Sequence, residues 1–199
     1  MTRGGTQTLS SLACEACILA GGLSSRMGKD KSRLKLGRKT LLTHIRERAE
    51  RLQMPVRIVR RDIVPRCGPL GGVYTALKRS KADGVLFLSC DMPFVSDRLL
   101  SRIVSQIGSG RMALFTASSK SVGFPFWVRT TAIVHVEALL SRREFSLQRL
   151  AAELEAAQIP PISSDELFNI NTAEDWVKAE ELWHDRHVRK SLIRKWSVD

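Results

Sequence analysis

Cysteine is scarce. The 199 residues include four, Cys14, Cys17, Cys67 and Cys90. They are too few and too irregularly spaced for a disulfide scaffold, so a reducing cytoplasm is the expected compartment. Long apolar runs are absent too. No stretch reaches 18 uninterrupted apolar residues, so no membrane-spanning helix is expected. The first dozen residues carry Ser, Thr and Gly without an apolar run, which argues against a secretory signal and makes residues 1–13 a loose leader. Neither internal repeats nor low-complexity tracts occur. Acidic residues are few where basic ones are dense. The whole chain holds 32 Lys+Arg against 20 Asp+Glu, a net charge of +12. Residues 1–70 hold 15 basic and 5 acidic side chains, residues 71–184 hold 12 and 13, and residues 185–199 hold 5 and 2. A 43% hydrophobic and 26% charged composition excludes a disordered or fibrous chain. The length suits one large domain or two small ones.

The patterning alternates strands with helices. Ala16 to Ala20 reads as a buried strand that ends at Gly21-Gly22, and a polar basic loop follows to about Arg38. Thr40 is placed to cap a helix from Leu41 to Leu52, and Pro55 to Val59 reads as a second strand. Asp62 to Gly72 reads as a Pro/Gly turn leading into a helix from Val73 to Arg79. The run from Gly84 to Cys90 is the strongest strand signal, stopping at Asp91-Met92-Pro93. Further helices are expected over 96–107, 131–140 and 146–157, with strands over 112–116, 122–129 and 159–162. Thr172 caps a last helix whose first turn carries Glu174 and Asp175, where the macrodipole favours acids. This alternation implies an α/β domain on a mostly parallel sheet. Such sheets bind ligands beyond the carboxyl ends of their strands, which directs attention to Gly21-Gly22, Asp62 and Asp91.

Two of those places have recognisable chemistry. Paired glycines after a strand let backbone N–H groups approach an anion. Ser24 and Ser25 add hydroxyls, and Arg26 and Lys31 add charge. Residues 26–39 hold seven basic side chains against one acid, which either draws a polyanion (a nucleotide, a phosphorylated metabolite or nucleic acid) or forms a solvated basic loop. The loop is neither a Walker motif nor a dinucleotide fingerprint. Asp91, directly after a buried strand, is placed to ligate a hard cation such as Mg²⁺, which needs only one or two carboxylates beside phosphate oxygens and water. A turn cap is the competing role.

The segments LAGGLSSRMGKDK (19–31), GPLGGVYTAL (68–77), LSCDMPFV (88–95) and FNINTAEDW (168–176) resemble, in the same order, the molybdenum cofactor guanylyltransferases. The resemblance runs from about residue 15 to residue 183. It implies a Rossmann-like nucleotidyltransferase domain over 14–184, followed by a basic helix end or tail at 185–199. It also implies transfer of GMP from GTP to the terminal phosphate of molybdenum-molybdopterin, with pyrophosphate leaving. The alternative is a non-catalytic or CTP-using relative in the same metabolism. By resemblance, Leu19, Ala20, Gly21, Gly22 and Asp62 belong to the nucleotide site. Lys31 and Arg26 neutralise phosphate, Asp91 binds nucleotide through Mg²⁺, and Asn169 and Asn171 lie on the acceptor side. Contacts with other molybdenum cofactor proteins are a further implication; a membrane or nucleic acid is not expected as partner.

Two departures stand out. Gln53-Met54-Pro55 leads almost at once into the second strand, where the family has a further strand and helix, so the sheet is expected to be shortened by one such unit. Phe124 also stands before Pro125, where many relatives have His. Among other features, Cys14-x-x-Cys17 has zinc-like spacing but lacks a second pair, so core packing is the expected role. His184 and His187, three apart, are expected on an exposed helix face. Trp176 and Trp183 are expected to pack against the domain.

Overall fold

The computed structural model describes residues 12–21, 31–118 and 121–196, with backbone alone from 187 onward. Its main sheet has six strands. Strand β1 (Cys14–Leu19) is followed by a two-residue hairpin, β2 (Lys35–Leu36) and β3 (Lys39–Thr40), and by helix α1 (Leu41–Arg51). Then come β4 (Val56–Val59), α2 (Gly68–Arg79), β5 (Gly84–Ser89) and α3 (Asp97–Val104). The second half contains β6 (Ala113–Ala117), β7 (Val122–Arg129), α4 (Ile133–Ser141), α5 (Leu147–Glu153), β8 (Ala157–Ile159) and α6 (Ala173–Trp196). The strand order is β4-β1-β5-β7-β6-β8, and only β7 runs antiparallel to its neighbours. The expected mostly parallel, helix-flanked sheet is therefore present.

Strand alternation sorts the core into two layers. Cys17, Val85, Phe87, Phe115, Phe126 and Val128 face α2, α4 and α5. Ala16, Ile18, Leu86, Leu88, Leu114 and Trp127 face α1 and α3. Phe126 lies between Phe115 and Phe87, with ring centroids 4.4 and 4.9 Å away. Removing a fully buried aromatic of this kind from water contributes about 1.5–3 kcal/mol. Phe124 packs on the same group, 5.0 Å from Phe126, so its ring has a place in the core. The Cys14/Cys17 spacing also finds its explanation here. An odd separation on a strand sends the two side chains to opposite faces, and burial pushes the Cys17 thiol up to about 12. Neither fact suits a shared zinc.

Several boundaries differ from the sequence reading. Helix α2 begins at Gly68, not Val73, because Pro69 suits a first helical turn and costs no hydrogen bond there. Strand β8 lies at 157–159, paired with β6 through Leu114↔Ala157, two residues before its expected place. The β2–β3 hairpin begins within the segment read as open loop and ends at the helix cap Thr40. Its Leu36 is buried with Leu41, Phe94, Ile170 and Ala179, and Trp176 and Trp183 of α6 pack on this third cluster as expected. His44 fastens the arrangement: its Nε2 is 2.8 Å from the Leu36 carbonyl, and its ring lies 4.6 Å from Trp183. Burial holds its pKa below the ordinary histidine value. Among the described residues, no helix is long and apolar enough to cross a membrane.

Candidate active site

The chain leaves β1 towards β4 and leaves β5 towards β6, in opposite directions across the sheet. A crevice opens where adjacent strands diverge in this way, at their carboxyl ends. Leu19, Ala20 and Gly21 form its β1 rim. The Leu19 carbonyl accepts from Cys90 N–H at 3.2 Å, and Ala20 N–H donates to the Val59 carbonyl at 2.8 Å. The turn is thereby tied to both neighbouring strands. Gly21 has no room for a side chain, since a Cβ would stand 2.5 Å from the Arg60 carbonyl oxygen. Gly22 and Arg26, assigned to the nucleotide site by resemblance, lie outside the described residues.

Asp91 follows β5 and is half-buried. Ser89 Oγ donates to its Oδ1, and its backbone carbonyl accepts from Ile170 N–H at 2.9 Å. Burial raises the Asp91 pKa above the usual carboxylate range, against the opposing effects of the Ser89 hydrogen bond and the charge of Lys31. A partly desolvated carboxylate of this kind favours a cation that restores its lost solvation. Among the described residues there is no cluster of three or more metal-ligating side chains. A single carboxylate fits a hard divalent cation that takes its remaining ligands from phosphates and water.

Lys31 opens a short 3₁₀ turn, Lys31–Arg33, just before the β2–β3 hairpin. Its Nζ donates to Asn171 Oδ1 at 3.0 Å. Asn171 is itself fixed from below: Asp175 Oδ2 accepts from the N–H groups of Asn171 and Thr172, each at 2.9 Å, while Asp175 N–H donates to Thr172 Oγ1 at 3.1 Å. Those backbone donors hold the Asp175 carboxyl below its usual range. Thr172 thus caps α6 as expected, and the cap also aims Asn171 at Lys31. The preceding segment is held by buried Glu166, which accepts from Ser96 Oγ and from Ile162 N–H at 2.5 Å.

Asp62 lies beyond β4, against the start of α2. A Cβ at Gly71 would stand 2.9 Å from Asp62 Oδ2 and 2.8 Å from the Val64 carbonyl; one at Gly72 would stand 2.9 Å from Leu19 Cδ1. The glycines in the helix are thus required by what packs on them. Burial raises the Asp62 pKa. Gly71→Ala is expected to destabilise the fold by about 1–3 kcal/mol through overpacking and to displace Asp62, checked by denaturant unfolding beside nucleotide affinity.

Lys31, Asp91 and Asn171 thus meet at the carboxyl end of β5, while Leu19–Gly21 and Asp62 line the β1 and β4 side. Asn169 is exposed and makes no hydrogen bond with a described residue. Ser89 and Glu166 escaped the sequence reading, which placed Asp175 in the first turn of the last helix but not its bonds to the Asn171 and Thr172 N–H groups. The Thr172-x-x-Asp175 and Ser163-x-x-Glu166 capping spacings are the signals that mark Asp175 and Glu166. A separate groove of about 500 Å³, lined by residues including Phe115, Gln148 and Glu155, contains none of the expected site residues.

The strand-terminal turn Leu19–Gly21, a lysine and a lone carboxylate thus gather at the carboxyl ends of the adjacent inner strands β1 and β5 of an α/β domain. The chain belongs to the MobA-like NTP transferase domain family, whose model matches residues 16–158. A molybdenum cofactor guanylyltransferase of Rhizobium meliloti (strain 1021) is 32% identical over 196 residues, taking in 83% of this chain and 89% of the relative. A probable molybdenum cofactor guanylyltransferase of Flavobacterium johnsoniae is 28% identical over 175 residues, taking in 79% and 92%. The matched lengths exceed the share of the 199 residues that this chain contributes, so gaps fall in this chain. In the sheet, β4 directly follows α1 and stands at the edge. The solved structure of molybdopterin-guanine dinucleotide biosynthesis protein A from Archaeoglobus fulgidus shares the fold at a TM-score of 0.69 and 20% identity, covering 86% of this chain and 99% of that one.

Proposed function

We propose that this chain transfers GMP from GTP to the terminal phosphate of molybdenum-molybdopterin, forming molybdopterin guanine dinucleotide and pyrophosphate in the cytoplasm. The observation that carries the reading is the junction at Lys31. One segment, 168–172, both hydrogen-bonds the lysine through Asn171 and holds the Asp91 backbone through Ile170. The phosphate-binding side and the segment assigned to the acceptor are thereby mechanically joined. The names carried by the relatives support guanine and molybdopterin as the donor base and acceptor.

The reaction brings strongly negative groups together, so positioning and charge neutralisation are the main tasks. Gly21 and its neighbours let the backbone approach the nucleotide. The Lys31 ammonium meets the phosphates and stabilises charge as pyrophosphate departs, with Arg26 and Gly22 assisting from the same loop. Asp91 would hold Mg²⁺, which when bound supplies Lewis-acid stabilisation of phosphoryl oxygens. Asp62 supports the nucleotide side, while Asn169 and Asn171 face the acceptor. Residues 14–184 form the catalytic domain in this reading, between a leader (1–13) and a basic tail (185–199). Pyrophosphate release tests the proposal. Release from GTP is expected only with molybdenum-molybdopterin and a divalent cation both present; release independent of the acceptor would contradict it.

A further inference from the structure

Strand β4 stands at the sheet edge with β1 as its neighbour, and the chain leaves it through Arg60 and Arg61. The Arg60 backbone packs directly on the β1 turn: a Cβ at Gly21 would lie 2.5 Å from its carbonyl oxygen and 3.4 Å from its Cα. Both arginines are exposed, and neither guanidinium hydrogen-bonds or ion-pairs with a described residue. Arg57, on the same strand, by contrast donates through Nη2 to Glu15 and to the Ala76 carbonyl, the latter at 2.9 Å.

The site's geometry gives Arg60 a role. Asp91 and Lys31 occupy the β5 side of β1, and Arg60 the β4 side. Two strand spacings, roughly 10 Å, separate those sides. In the proposed reaction, a nucleotide whose phosphates meet Lys31 and whose path follows Ala20–Gly21 would carry its base to the β4 side, where Arg60 stands. A guanidinium offers five donors in a planar fork and no acceptor. Guanine presents two adjacent acceptors, O6 and N7, whereas adenine puts an amino donor beside N7. Resting on the guanylyl-transfer reading above, we propose that Arg60 is the specificity-determining residue that reads the guanine edge. Arg61, one residue farther from the Gly21 contact, does not share the role.

The test is the ratio of GTP to ATP affinity, measured by calorimetry with Mg²⁺ on the full chain and on Arg60→Lys, Arg60→Ala and Arg61→Ala. Wild type is expected to favour GTP. Arg60→Lys keeps the charge but loses the fork, so it should lower that preference about 10- to 100-fold, with ATP binding little changed. Arg60→Ala should lose the preference likewise, and Arg61→Ala should retain it. A wild type without GTP preference, an Arg60→Lys variant that keeps it, or equal weakening of both nucleotides in Arg60→Ala overturns the assignment. The readout does not depend on turnover. A collapse of the ratio without GMP transfer in wild type would refute the proposed reaction and leave the base contact standing, whereas GMP transfer with an unaltered ratio would do the reverse.

Discussion

Asp91→Asn is expected to lower nucleotidyl transfer by at least about 10²-fold while leaving the domain as stable as wild type or more so at neutral pH. The two outcomes share one cause. The Asp91 carboxyl is half-buried beside Ser89, and burial raises its pKa. A raised carboxyl pKa means that the folded state disfavours the charged form. The group's stabilising contribution is therefore present below the unfolded value near 3.8 and is lost as pH rises through the folded value. At pH 7 the ionised group is a local cost, offset in function by the cation and phosphates it serves. Asparagine removes the charge, and its carbonyl can still accept from Ser89 Oγ. Pyrophosphate-release kinetics and thermal unfolding on one preparation check both halves. Near-wild-type turnover, or a folded state lost together with activity, would refute the role given to Asp91.

Lys31→Ala should have the second large effect, a loss of about 10²–10³-fold in kcat/KM, with little change in stability. Among the described residues the Lys31 Nζ makes one hydrogen bond, to exposed Asn171, and the lysine lies outside the three hydrophobic clusters. Its removal therefore takes charge from the crevice without opening a cavity. Asn171→Ala leaves the ammonium in place but frees it, so a smaller loss is expected, and Asn171→Asp should restore the tether. Equal losses in Lys31→Ala and Asn171→Ala would show that the amide, rather than the ammonium, meets the reacting groups. Steady-state kinetics with both substrates varied separates these results.

The crevice was legible in sequence because its parts sit at abrupt transitions. Leu19 gives way to paired glycines, and the apolar run ending at Ser89-Cys90 gives way to Asp91, each a strand end recognisable from local composition. The start of α2 was not legible in this way. Pro69, Gly71 and Gly72 read locally as a turn, and only the packing of Asp62 and Leu19 shows why a helix carries those glycines. The β2–β3 hairpin has no alternating pattern of its own. It is held by Leu36 burial and by α6, more than a hundred residues away. The Lys31–Asn171 bond spans 140 residues, and the Arg60–Gly21 contact exists only because β4 pairs directly with β1. Local pattern marks where strands end, but it does not show which ends meet.

The most direct measurement is a competition. The chain is incubated with molybdenum-molybdopterin, Mg²⁺ and equimolar GTP, CTP and ATP, and the dinucleotide product is identified by mass. The guanine dinucleotide, formed with one pyrophosphate per product, is the predicted result; the cytosine or adenine dinucleotide, or no dinucleotide at all, would contradict it.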